Sequence, residues 1–188
     1  MKLSRAQIFV GISTLAAPLL SSFGQISIGD SYHINFVDID GNTLSTANGH
    51  ITTVVVISQA NVDKARTVGD RTPDFCLGNP KYQMITVLAL QKNHSKPVRM
   101  ILSSLVRRRL DAEARRLQSR YDQLKIARAA RQDVFAVADF DGAVSKQLGA
   151  EPKPDLFRVF VFGKNGELLE QWSDPPSAEE LATVLKRD

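Results

Sequence analysis

The sequence contains a single cysteine, Cys76, among 188 residues. A disulfide requires two sulfurs bonded at about 2.05 Å, so no bridge can form within this sequence. The three histidines, His33, His50 and His94, are scattered and lack the close spacing of zinc ligands. Neither a phosphate-cradling glycine loop nor a nucleophile elbow is present. The longest apolar run falls short of the roughly 20 residues that a membrane span needs. These absences leave no cofactor or metal to expect, and no nucleotide-dependent or serine-hydrolase chemistry.

What is present begins with Lys2 and Arg5, followed by the uncharged run Ile8 to Leu20 and then Ser21-Ser22-Phe23-Gly24-Gln25. Small residues at Ser22 and Gly24 stand at −3 and −1 of a cut before Gln25, the pattern of a secretory signal peptide. The expectation is a signal over residues 1–24 and a single domain over 25–188, exported to a periplasm or secreted. An uncleaved anchor is the other reading of the same run. The 43% hydrophobic and 23% charged content is that of a globular domain and excludes a disordered chain.

The charge is localised. The formal net of +4 falls to +2 without residues 1–24, which carry Lys2 and Arg5 and no acid. Residues 103–132 hold nine Lys/Arg against Asp111, Glu113 and Asp122, a local +6, so the rest of the mature chain is −4.

Residues 31–37 read as a strand, Asp38-Ile39-Asp40-Gly41-Asn42 as a turn and Thr43 to Ser45 as the return strand. The dense β-branched run Ile51 to Ile57 predicts a central strand buried on both faces. Asn61 to Val68 follows as a short helix with Asn61 as its N-cap. Residues 69–80 read as a loop, Gln83 to Leu90 as a second buried strand and residues 91–97 as a polar connection. Val106, Leu110, Ala114, Leu117, Tyr121 and Leu124 recur at three- and four-residue steps, predicting a long helix from about Val98 or Ser103 to Arg131. Asp133 to Asp139 is then a third parallel strand and Gly142 to Leu148 a short helix closed by Gly149. Phe157 to Phe162 and Glu167 to Trp172 form a hairpin around Gly163-Lys164-Asn165-Gly166. A last helix starts at Ser177 with a capping box to Glu180. Strands alternating with helices imply one mixed sheet with helices on both faces.

This order resembles the thioredoxin-like superfamily, in its exported thiol–disulfide oxidoreductase and redoxin branch. The residues that carry the resemblance are Phe36 to Leu44 as the leading hairpin and Gly49 to Ile57 as the strand before the active-site helix. Phe160 to Leu168 matches the closing hairpin and Ser177 to Leu185 the last helix. The resemblance implies an α/β thioredoxin-like sandwich: a central mixed sheet flanked by helices, with an N-terminal hairpin and, in this chain, an extended basic helix. It also implies a dithiol near Asn61 to Ala65, where no cysteine stands. The family's proline that faces the dithiol should fall near Phe157, whereas the prolines here are Pro152 and Pro154. The fold is implied without its usual chemistry.

Two candidate sites remain. Cys76 could act as a lone thiol if it were ionised beside Arg71 or Lys81. Redoxin peroxidases use Pro-x-x-x-Thr-x-x-Cys; here Thr72 precedes Cys76 by four residues and Pro73 by three, so the motif is not met. The basic helix, through Arg107, Arg108, Arg109, Arg115, Arg116 and Arg120, could bind an acidic protein or an anionic envelope surface. It could equally be a solvated face, with Asp111 and Glu113 pairing to Arg115 and Arg116. No aromatic platform is interleaved with the arginines, which argues against nucleic acid. Asp38-x-Asp40-Gly41 reads as a hairpin turn, since its spacing fails that of a calcium loop. Asp139-Phe140-Asp141-Gly142 reads as a strand end leading into a helix cap. The function expected is a binding or interaction module without dithiol activity. The alternative is a single-cysteine oxidoreductase or peroxidase acting through Cys76.

Overall fold

The computed structural model describes residues 26–90 and 94–187, so the expected signal over 1–24 lies outside the described residues. Strands β1 (Asn35–Val37) and β2 (Thr43–Ser45) pair antiparallel as a separate small hairpin. Its turn is built by Asp38, whose carboxylate accepts the backbone N–H of Asp40 at 2.9 Å and of Asn42 at 2.8 Å. That is the turn read from the sequence, although the strand ahead of it is shorter than residues 31–37. Ser31 contributes only an isolated bridge to Glu167.

Strand β3 (Ile51–Ile57) is β-branched at every position, and every residue in it is buried. It is followed by helix α1 (Val62–Arg71), strand β4 (Tyr82–Ala89), helix α2 (Lys96–Gln123), strand β5 (Phe135–Asp139) and helix α3 (Ala143–Gln147). Strands β6 (Phe157–Phe162) and β7 (Leu168–Trp172) and helix α4 (Ala178–Leu185) complete the chain. The five-stranded sheet runs β5-β4-β3-β6-β7, with β3 parallel to β4, β4 parallel to β5, and β6 antiparallel to both β3 and β7. Alternation along the strands divides the core. Val54, Val56, Ile85 and Val87 face the side covered by the hairpin and α3. Val55, Ile57, Val159 and Val161 face the side covered by α1 and α4. This is the mixed α/β sandwich expected from the sequence.

The final helix carries its capping box: Ser177 Oγ accepts the Glu180 N–H at 3.2 Å while Glu180 Oε2 accepts the Ser177 N–H at 2.7 Å. Asp139 ends β5 and accepts both the N–H and the hydroxyl of Ser145, at 2.8 and 2.6 Å, anchoring the start of α3.

The long helix differs from its expected span at both ends. It starts at Lys96, with Pro97 in its first turn, where a missing N–H leaves no helical bond unmade. It stops at Gln123 rather than Arg131, because Lys125 takes a left-handed φ of 57° and turns the chain. The Ile126 N–H then bonds back to the Tyr121 carbonyl at 2.9 Å, and a short 3-10 turn over Ala130–Asp133 leads into β5. Arg128 and Arg131 therefore stand off the helix.

Candidate functional site

Ser58, just ahead of the expected dithiol position, and Asn61, at its first residue, tie the chain to the loop before β6. The Ser58 N–H donates to Leu156 O at 2.9 Å, and its hydroxyl to Pro154 O at 2.6 Å. Asn61 does not cap α1 with its side chain, as the sequence suggested. Its amide Nδ2 reaches across to the same Leu156 carbonyl at 3.1 Å. The loop before β6 is thus fastened to the start of α1 by side chains that can exchange no electrons.

Cys76 lies at the end of a 3-10 turn, Asp74–Cys76, and is 7% exposed. Burial pushes its thiol from 9.0 up to about 12, against a smaller opposing pull from the Lys81 charge. Arg71, the other cation near it in sequence, is turned away and donates to the carbonyls of Pro175 and Pro176, at 3.0 and 2.8 Å. A thiol so buried stays protonated at neutral pH and is a poor nucleophile.

Cys76 shares a cavity with the start of α1. About 500 Å³ of space lies between one face of the sheet and helices α1 and α2. Thr53, Met84, Thr86 and Leu88 form its floor, and Val62 and Ala65 of α1 one wall. The other wall is Val106, Leu110, Leu117 and Tyr121 of α2. Sequence reasoning identified the inward stripe of α2 but not the space beneath it. Spacing shows which side chains face the sheet, not how far the helix stands from it.

The mouth of that space is crossed by ion pairs. Arg66 Nη2 meets Glu113 Oε1 at 2.6 Å, and Arg116 Nη2 meets Asp70 Oδ2 at 2.7 Å. Arg120 Nε reaches Asp74 Oδ1 at 3.0 Å, and its Nη2 reaches Thr72 O at 2.8 Å. One signal for this row was legible. Arg66, Asp70 and Asp74 recur at four-residue steps with signs complementary to Glu113, Arg116 and Arg120, although nothing along the chain shows that the two segments face each other.

A second cluster lies on the other flank of α2. Arg107 Nε donates to Asp40 Oδ1 at 2.9 Å, and Arg131 donates to Asp40 Oδ2. The Arg107 hydrogen bond, with that of Arg131, holds the Asp40 carboxyl below its usual range against the opposing effect of burial. Arg131 Nε also takes Asp111 Oδ1 at 2.9 Å, so Asp111 does not pair with Arg115 as the helical spacing allowed. Glu113 keeps its expected partner Arg116 only at 3.9 Å, its closer contact being Arg66.

The six arginines singled out from the sequence therefore separate. Arg107, Arg116 and Arg120 are engaged within the fold. Arg108, Arg109 and Arg115 are exposed and have no hydrogen bond or ion pair among the described residues. Ahead of them the first turns of α2 expose Val98, Met100, Ile101 and Leu105, at 40, 72, 61 and 49%. Ile101, Leu105, Arg108, Ala112 and Arg115 follow one another at three- and four-residue steps, a single outward stripe that turns from apolar to basic. Among the described residues no group of His, Cys, Asp and Glu is placed to hold a metal ion, and no helix is long and apolar enough to cross a membrane.

No protein-family model matches the sequence, and no curated protein resembles it detectably in sequence. Solved structures do resemble it. An exposed lipoprotein thioredoxin of Streptococcus pneumoniae superposes with a TM-score of 0.50 at 10% identity, over 84% of this chain and 100% of that one. A chain assigned as a thioredoxin from Neisseria meningitidis superposes with a TM-score of 0.50 at 16% identity, over 84% of this chain and 91% of that one. At such identities the likeness is one of fold, and the fold is thioredoxin-like.

Proposed function

We propose that this thioredoxin-fold chain is an exported binding module that does no dithiol chemistry and docks an acidic protein through the outer face of α2. The observation that carries the reading is the division of the arginines. Arg107, Arg116 and Arg120 hold the body together, while Arg108 and Arg115 extend an exposed apolar stripe, Ile101 and Leu105, with charge that has no partner among the described residues. A partner offering an apolar patch rimmed by carboxylates would remove Ile101 and Leu105 from water and complement both guanidinium groups. The lone-thiol alternative is opposed by the burial of Cys76 and by its thiol being pushed up to about 12. Export rests on the pattern of residues 1–24, and the exposed pneumococcal lipoprotein of the same fold is consistent with it.

The test is capture from an envelope extract followed by reconstitution with the purified captured protein. Binding should weaken as salt rises and be lost in an Arg108→Glu/Arg115→Glu variant. It should survive in Arg109→Gln, which leaves the outward stripe intact. Equal capture by wild type and the double variant would refute the docking face. Binding to phosphatidylglycerol vesicles, with no salt-sensitive protein partner, would replace the acidic protein with an anionic membrane.

A further inference from the structure

The space beneath α2 is distinct from the outward stripe. Its volume, about 500 Å³, is within the roughly 300–1,000 Å³ of small-molecule sites. It is also long. Its wall on α2 runs from Val106 to Tyr121, about 22 Å of helix at 1.5 Å per residue. A space of that shape suits an extended chain better than a compact ring. Its walls on α1 and α2 are mainly aliphatic and aromatic, and the polar exceptions on its floor are Thr53, Thr86 and Gln83, whose Oε1 is buried without a hydrogen-bond partner among the described residues.

The mouth indicates the head group. Arg109, Glu113, Arg116 and Arg120 lie along one edge of α2 at four-, three- and four-residue steps, and all four border the cavity. Glu113, Arg116 and Arg120 are paired to Arg66, Asp70 and Asp74. Arg109 is exposed and has no carboxylate among the described residues. The row therefore ends in an uncompensated cation at the edge of an apolar space, the complement of a linear chain that carries one anion. The bridges are exposed and weak, so they can part and re-form as a chain enters.

We propose that this cavity binds a single long-chain carboxylate, with its acyl chain lying between α2 and the sheet and its carboxylate on Arg109. Palmitate titrated into the protein below its micelle concentration is the test, read by native mass spectrometry, thermal unfolding and the rate of maleimide labelling at Cys76. The expected result is saturable one-to-one binding, a higher unfolding midpoint and slower labelling, because the chain covers the thiol. Arg109→Gln should weaken palmitate about tenfold and leave the neutral hexadecanol unchanged. Thr86→Trp, which fills the floor of the cavity, should abolish both, provided its circular dichroism shows it folded. The Arg109 comparison does not depend on that variant. Absence of saturable binding overturns the site, and so does a labelling rate unchanged at saturating palmitate. Equal palmitate affinity in wild type and Arg109→Gln overturns the head-group assignment. Arg108→Glu/Arg115→Glu should bind palmitate normally, so failure of the docking face and failure of the cavity are separately visible.

Discussion

The hydroxyl of Tyr121 accepts a hydrogen bond from the Gly78 amide at 2.9 Å and donates one to Asp133 Oδ2 at 2.8 Å. One side chain from the last turn of α2 thereby fixes the loop that follows Cys76 and the turn that leads into β5. Tyr121 is 1% exposed, and burial together with the neighbouring Asp133 pushes its phenol from 10.0 up to about 12.

Tyr121→Phe should destabilise the protein by about 1–3 kcal/mol, because the phenol's hydrogen bonds to the Gly78 amide and to the Asp133 carboxylate are both lost. Urea unfolding should show a lower midpoint with an unchanged slope. A midpoint equal to that of wild type would mean that the two loops are held by other contacts.

Gly78 has a left-handed φ of 64°, and a Cβ there would stand 2.6 Å from Ile126 Cγ2. Gly78→Ala should therefore cost both the conformational penalty of roughly 1–2 kcal/mol and an added clash. In a double-mutant cycle with Ile126→Ala, the clash should disappear and the backbone penalty remain. Strict additivity of the two changes would show that Ile126 is not the obstacle.

Alkaline pH should unfold the protein through Cys76 and then Tyr121. Below pH 9.0 the thiol is protonated in both the folded and unfolded states. Between 9.0 and about 12 the unfolded chain releases the proton and the folded chain keeps it. Stability then falls by about 1.4 kcal/mol per pH unit for that group. From 10.0 to about 12, Tyr121 adds a second proton of the same sign. Cys76→Ser should remove the fall between pH 9 and 10, which thermal midpoints taken in that interval would measure.

The acid limb should depend on Asp40, the shared partner of Arg107 and Arg131. Its carboxyl is held below 3.8, so its contribution is complete above that value and is lost as pH falls through the folded one. Asp40→Asn should flatten that limb, and Arg107→Glu should destabilise at neutral pH. Arg108→Glu, with no partner among the described residues, should stay within about 0.5 kcal/mol of wild type. Equal losses in the two arginine variants would mean that Arg107 draws nothing from Asp40.

The elements were legible from the sequence where local chemistry is strong. The unbroken β-branching of Ile51 to Ile57 forces a buried strand, and Ser177 with Glu180 caps α4 within one turn. The single cysteine by itself excludes an internal disulfide. The end of α2 was not legible. The inward apolar steps continue to Leu124, and the stop depends on Lys125 turning left-handed so that Ile126 can bond back to Tyr121. Nor could the sequence separate the arginines, because a guanidinium is satisfied by whichever carboxylate the fold brings near it. Asp40, Asp70 and Asp74 lie 67, 46 and 46 residues from Arg107, Arg116 and Arg120. Local pattern determined which residues are strand, helix and inward-facing, since those depend on neighbours a few positions away. Only the tertiary structure decided which charges are spent, that Cys76 is buried, and that a space remains beneath α2, because each depends on distances between segments that spacing along the chain does not encode.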